Sequence, residues 1–159
     1  MSVSLYKSLL LGAAASLITG HAFAAGPAKA DLEYLNPTPE SAKAWPFSDA
    51  VRVGDLLFVS GKLGNVPGTM DLAPGGIQGE TRQTMENIKS TVERYGGSMD
   101  RPVKCTVFLA DIAEWGAMNA EYVKFFSNKP ARSALGTGDG IALGARVEIE
   151  CIAAAPAEG

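Results

Sequence analysis

Residues 81–109 read TRQTMENIKSTVERYGGSMDRPVKCTVFL, and within them the hydrophobic period changes once. Over 81–95, Met85, Ile88, Val92 and Tyr95 recur at steps of three and four, one face of an amphipathic helix, and Gly96-Gly97 supplies its stop. Beyond the stop the period falls to two, with Val103, Cys105, Val107 and Leu109 alternating onto one face of a strand. A striped helix followed directly by a one-faced strand is the repeating unit of a two-layer fold.

Upstream, Val51-Arg52-Val53, a tight turn at Gly54-Asp55 and Leu56-Leu57-Phe58-Val59-Ser60-Gly61 predict a hairpin, and the Gly/Pro-rich residues 62–79 predict a loop. Downstream, Asp111 with Glu114 resembles a capping box opening a second helix to Phe126. Trp115, Met118, Tyr122 and Phe125 share its inner face, a pattern that reads as core rather than as a stacking platform. Residues 131–135 predict a strand, 136–140 a glycine turn and 145–154 the last strand. The glycine turn is no phosphate loop, because no Gly-Lys-Ser/Thr follows.

The order β-β-α-β-α-β-β predicts an α+β sandwich, a mixed sheet with two helices on one face. Leu56, Phe58, Phe108 and Ile152 keep the other face partly apolar, so it needs cover. A second copy of the chain is the expected cover, giving a homo-oligomer; folding of the N-terminal arm over that face is the alternative.

The chain has 159 residues, 47% hydrophobic and 19% charged, enough for one core and too little for two domains. Residues 1–24 carry Lys7, an apolar run from Leu9 to Ile18 and then Ala22-Phe23-Ala24, the pattern of a cleavable export signal cut after Ala24. The run is too short for a membrane anchor, for which about 20 apolar residues are needed. Residues 25–45 read as an extended arm and 46–155 as the domain. The expected destination is the periplasm or the exterior, with no membrane partner once the signal is gone.

Cleavage also removes His21, the only histidine, and leaves thirteen basic against seventeen acidic residues, net −4. Without histidine the exported chain cannot build a Ser-His-Asp triad, a Cys-His pair or a His-bearing zinc site, and no metal or cofactor is expected. Its acidity disfavours nucleic acid as a partner. Cys105 and Cys151 fall among apolar strand residues and read as buried free thiols, although an oxidising compartment permits a disulfide.

If residues 131–135 and 145–154 form an antiparallel hairpin around the glycine turn, Arg132 and Glu148 point into one space at the uncovered face. A guanidinium there forks a substrate carboxylate, and a carboxylate can orient or deprotonate water. A structural ion pair is the plainer use of the same two residues.

Leu57-Phe58-Val59-Ser60-Gly61, Thr81-Arg82-Gln83 leading into Glu86-Asn87-Ile88, KCTVFLAD at 104–111, NAEYVKFF at 119–126, PARS at 130–133 and Glu148-Ile149-Glu150, in that order, resemble the RidA/YjgF family of reactive-intermediate deaminases. The resemblance spans 46–154. It implies a chorismate-mutase-like fold, a homotrimer with sites in its subunit clefts, and hydrolysis of 2-imino or enamine acids to 2-oxo acids and ammonia. On the same basis Arg132 holds the substrate carboxylate and Glu148 positions or activates water. Ser60 and Gly61 line the cleft, and Asn119 is the asparagine that supports it. This chain departs from the pattern at Phe47, where Trp45-Pro46-Phe47 replaces Gly-Pro-Tyr, at Ala134 in place of cysteine, and at Lys62 in place of glutamine. A non-catalytic trimer that binds small carboxylates or acts as a holdase is the alternative function, and an endoribonuclease the less favoured one.

Overall fold

The computed structural model describes residues 31–155. The expected signal at 1–24 and the first residues of the arm lie outside the described residues. Among the described residues no helix is long and apolar enough to cross a membrane.

The hairpin forms as expected, with β2 (Ala50–Val53) and β3 (Leu56–Leu63) paired antiparallel across Gly54-Asp55. The arm is corrected: it carries β1 (Leu32–Leu35), paired with β2 at the sheet's edge, and α1 (Pro39–Ala44). α1 is capped by Thr38, whose hydroxyl accepts from the Ser41 amide at 3.1 Å, and Pro39 sits where a helix has no use for its missing N–H. β1 of the arm thus extends the sheet, while Ser41 and Trp45 further along it stand around one cavity with Glu148 and leave the apolar stripe of the open face bare.

α2 spans Gly76–Arg94, so the segment read as a loop to residue 79 gives its end to the helix. Glycine is needed at position 79, because a Cβ there would stand 1.9 Å from the Pro74 carbonyl oxygen. Met85, Ile88 and Val92 are fully buried, as their spacing requires. β4 (Pro102–Leu109) follows, with Cys105, Val107 and Leu109 inside. Val103 leaves their face, since the pairing slips a register between Pro102 and Lys104 and the side chain is exposed.

Asp111 caps a 3₁₀ turn by accepting from the Ala113 amide at 2.9 Å. Glu114 does not complete a capping box; its carboxylate takes Arg146 at 2.7 Å. α3 (Trp115–Tyr122), β5 (Ala131–Gly136) and β6 (Val147–Ala154) complete the chain.

The sheet order is β1-β2-β3-β6-β4-β5, antiparallel throughout except for β4 against β5. A parallel pair needs a crossover, and α3 supplies it. The expected β5–β6 hairpin is therefore corrected, because β4 lies between the two strands. α2 and α3 cover one face, closing a core of Leu57, Val107, Leu109, Val147 and Ile149 under Met85, Ile88 and Met118.

Cys105 and Cys151 face each other across the β4–β6 register and are joined by a disulfide, which corrects the free-thiol expectation. On the far face, register aligns Leu32, Tyr34, Val51, Val53, Leu56, Phe58 and Ile152 over β1, β2, β3 and β6. Leu32, Tyr34, Leu56 and Phe58 are exposed, so no described residue covers this apolar stripe.

A candidate active site in two halves

The first half is organised by Gly61. β3 and β6 change register between Val59 and Lys62, and at that irregularity the Glu148 carboxylate lies over the Gly61 backbone. A Cβ at position 61 would stand 1.9 Å from Glu148 Oε1, so only glycine leaves the carboxylate where it is. Gly61→Ala is expected to fold with nearly wild-type stability, since the obstructed atom ends a flexible side chain. It is expected to lose most activity because Glu148 must swing away; thermal melts and rates measured side by side check this.

Glu148, Gly61 and Phe47 line one cavity of about 420 Å³. Ser60 stands behind it, with its hydroxyl donating to the Ser48 carbonyl at 2.6 Å and so bracing the segment that carries Phe47. Lys62 is ion-paired with Asp49, which also accepts from the Tyr95 hydroxyl at 3.1 Å. Burial and the Asp49 charge push the Tyr95 phenol up to about 12. Burial, then the neighbouring Glu150, raises the Glu148 pKa above its ordinary 4.5.

The second half is organised by Arg132. Its guanidinium packs 4.9 Å from the Tyr122 ring and 5.5 Å from the Trp115 ring, and Nη1 donates to Asn119 Oδ1. Among the described residues it has no carboxylate partner. Trp115, Asn119 and Tyr122, at steps of four and three, form one stripe of α3, and that spacing was the signal available in the sequence. The core reading holds for Tyr122, which is buried, and is corrected for Trp115, which is 44% exposed; both rings brace the arginine. Burial pushes the Tyr122 phenol up to about 12, against the pull of Arg132, so the ring stays neutral beside the cation. Ala134 packs against the core two residues along β5.

The halves do not meet within one chain. Arg132 pairs with Cys105, on the helix-covered face, whereas Glu148 pairs with Phe108, on the open face. Strand residues in register share a face, so the two groups project from opposite sides of the sheet.

A mixed six-stranded sheet with two helices on one face is the RidA-like class of α+β fold. The family model described as Endoribonuclease L-PSP matches residues 38–155, and the chain belongs to that family, the RidA/YjgF family. It is 35% identical over 120 residues to the mouse protein named 2-iminobutanoate/2-iminopropanoate deaminase, covering 75% of this chain and 88% of that one. The crystal structure of RidA from an Antarctic Psychrobacter matches with TM-score 0.65 at 34% identity, over 76% of this chain and 94% of that one. The structure of E. coli TdcF with bound serine matches with TM-score 0.65 at 30% identity, over 69% and 88% of the two chains.

Proposed function

We propose that this chain is an exported deaminase that hydrolyses 2-imino or enamine acids to 2-oxo acids and ammonia, acting as a homotrimer whose sites combine Glu148 of one subunit with Arg132 of the next. The observation that carries the reading is the Arg132 guanidinium, held by Asn119 and two rings yet left without a carboxylate of its own. A buried-side cation kept unpaired is suited to a ligand's carboxylate. Because Arg132 and Glu148 occupy opposite faces, only a second copy brings them together, and the exposed apolar stripe gives that copy a surface to bind. Relatives named as imine deaminases support the reaction, and the solved relative with bound serine supports a small amino-acid-like ligand.

The chemistry asks little of the protein. Arg132 anchors the carboxylate, Glu148 accepts a proton from water as its oxygen attacks the imine carbon, and the proton passes to nitrogen. The resulting carbinolamine then breaks its C–N bond as its hydroxyl proton is taken up and delivered to the departing nitrogen, releasing ammonia and leaving the 2-oxo acid. Tyrosine's hydroxyl is absent at Phe47, which favours the non-catalytic carboxylate-binding trimer as the second reading. The acidic charge and the absence of histidine beyond residue 24 argue against RNA hydrolysis. The Cys105–Cys151 disulfide supports export, since such bonds persist in oxidising compartments.

Suppression of semicarbazone formation, while an amino-acid oxidase generates imines, tests the reaction; no suppression by the folded protein for any imine overturns it. Glu148→Gln gives a sharper expectation. Folding raises the Glu148 pKa, so its contribution to stability is full below the unfolded carboxyl range and is lost as pH rises through the folded value. Glutamine removes that loss: the variant is expected to melt higher than wild type at neutral pH, with the gap closing below about pH 4. Its turnover is expected to fall at least about 10²-fold. The wild-type rate is expected to decline toward acid as Glu148 protonates, with its inflection above 4.5.

A further inference from the structure

The cavity that holds Glu148 offers more than the hydrolytic step uses. At about 420 Å³ it lies within the range that drug-sized ligands fill. Beside Gly61 and Glu148 its lining carries Trp45, Phe47, Met70 and Leu143. Each of these four is half exposed, at 50%, 55%, 55% and 51%, an unusual concentration of apolar surface at one opening. The Trp45 and Phe47 rings stack with centroids 5.8 Å apart and planes inclined by 28°.

Two further observations mark this wall as built. Leu143 is the one non-glycine among the described residues with a positive φ, 60°, a conformation that persists only where its surroundings hold it. Most polar side chains of the cavity are meanwhile engaged within the protein: Lys62 with Asp49, Asn36 with the Asp49 amide, Ser41 with Thr38, and the Asn65 amide nitrogen with the Thr69 carbonyl. What remains for a ligand is Glu148 and an apolar, ring-faced surface. Trp45-Pro46-Phe47 stands where the family resemblance implies Gly-Pro-Tyr, so this chain adds an indole and removes a hydroxyl at the same wall.

We propose that the preferred substrates are 2-imino acids with an aromatic side chain, the ring seated against the Trp45–Phe47 pair and flanked by Met70 and Leu143. This deepens and rests on the deaminase reading. Offset aromatic contacts reward a ring beyond the area it buries, and hydrophobic pockets discriminate even one methylene by about tenfold or more. The methyl group of a three-carbon substrate has far less apolar area to bury there.

The test has two arms on the purified full chain. In the first, imines generated from phenylalanine and from alanine are compared by suppression of semicarbazone formation. The expected ratio of kcat/KM is at least tenfold in favour of the aromatic imine, falling at least fivefold in Trp45→Ala and in Leu143→Gly. A ratio near one or below in the wild type overturns the proposal and leaves the deaminase reading standing. Hydrolysis of neither imine, extended to no hydrolysis of any imine tried, overturns the deaminase reading instead. The second arm then decides the pocket by itself, with phenylpyruvate and pyruvate titrated calorimetrically. At least tenfold tighter binding of phenylpyruvate, reduced in Trp45→Ala, is expected, and equal or weaker binding of phenylpyruvate overturns the proposal.

Discussion

Replacing Cys105 and Cys151 together by alanine is expected to lower the unfolding free energy by about 4 kcal/mol, the chain-entropy value for a link closing 46 residues. For a domain of this size that is roughly 10–20 °C in Tm. The bond joins β4 to β6, neighbouring strands that both lie inside the sheet, and so restrains the unfolded chain across a non-consecutive pairing. Both sulfurs are buried, so a reductant reaches them only when the domain opens. Wild-type protein reduced during unfolding therefore provides the matching comparison, having the same sequence without the link. Calorimetric melts of oxidised wild type, reduced wild type and the double variant are expected to place the last two together, well below the first. A melt of the double variant within 2 °C of the oxidised protein would sink the entropic account. Turnover at room temperature is expected to change little, because Arg132 and Glu148 are positioned by α3 and by Gly61 rather than by the sulfurs.

The disulfide also shows where local pattern stops being informative. The period change within 81–109 fixes α2 and β4 because burial itself imposes those periods. Four-residue β1 and six-residue α1 are too short to show a period, and the glycine at 79 hides the start of α2 for a steric reason that exists only once Pro74 is in place. Strand order is a non-local property. Consecutive strands usually pair, which suggested a β5–β6 hairpin; α3 between β4 and β5 was the better guide, since a helix of that kind marks a parallel crossover. Once β4 is placed between β5 and β6, Cys105 falls opposite Cys151, and Arg132 and Glu148 fall on different faces. The types of residue at the site were legible in PARS and in Glu148-Ile149-Glu150, but their orientation was not.

That orientation gives the largest functional expectation. Arg132→Ala is expected to lower kcat/KM for imine hydrolysis by about 10²–10³-fold, the loss that follows when a charged, hydrogen-bonded partner of a carboxylate is removed. Arg132→Lys keeps the charge but not the fork, so its loss is expected to be intermediate. Stability is expected to fall by about 1–3 kcal/mol in Arg132→Ala, since the guanidinium has no ion pair among the described residues but its hydrogen bond to Asn119 and its contact with the two rings are lost. The decisive form of the experiment mixes two inactive proteins. Arg132→Ala keeps Glu148, and Glu148→Gln keeps Arg132. If each site takes one group from each of two subunits, unfolding and refolding the variants together creates some intact sites. With random assembly into a closed ring, about a quarter of all sites recover both groups. A site formed within one chain recovers none, because no single chain in the mixture carries both residues. Recovery near a quarter of wild-type activity, absent when the proteins are mixed without unfolding, is the result expected of a shared site; no recovery from a properly refolded mixture would overturn it.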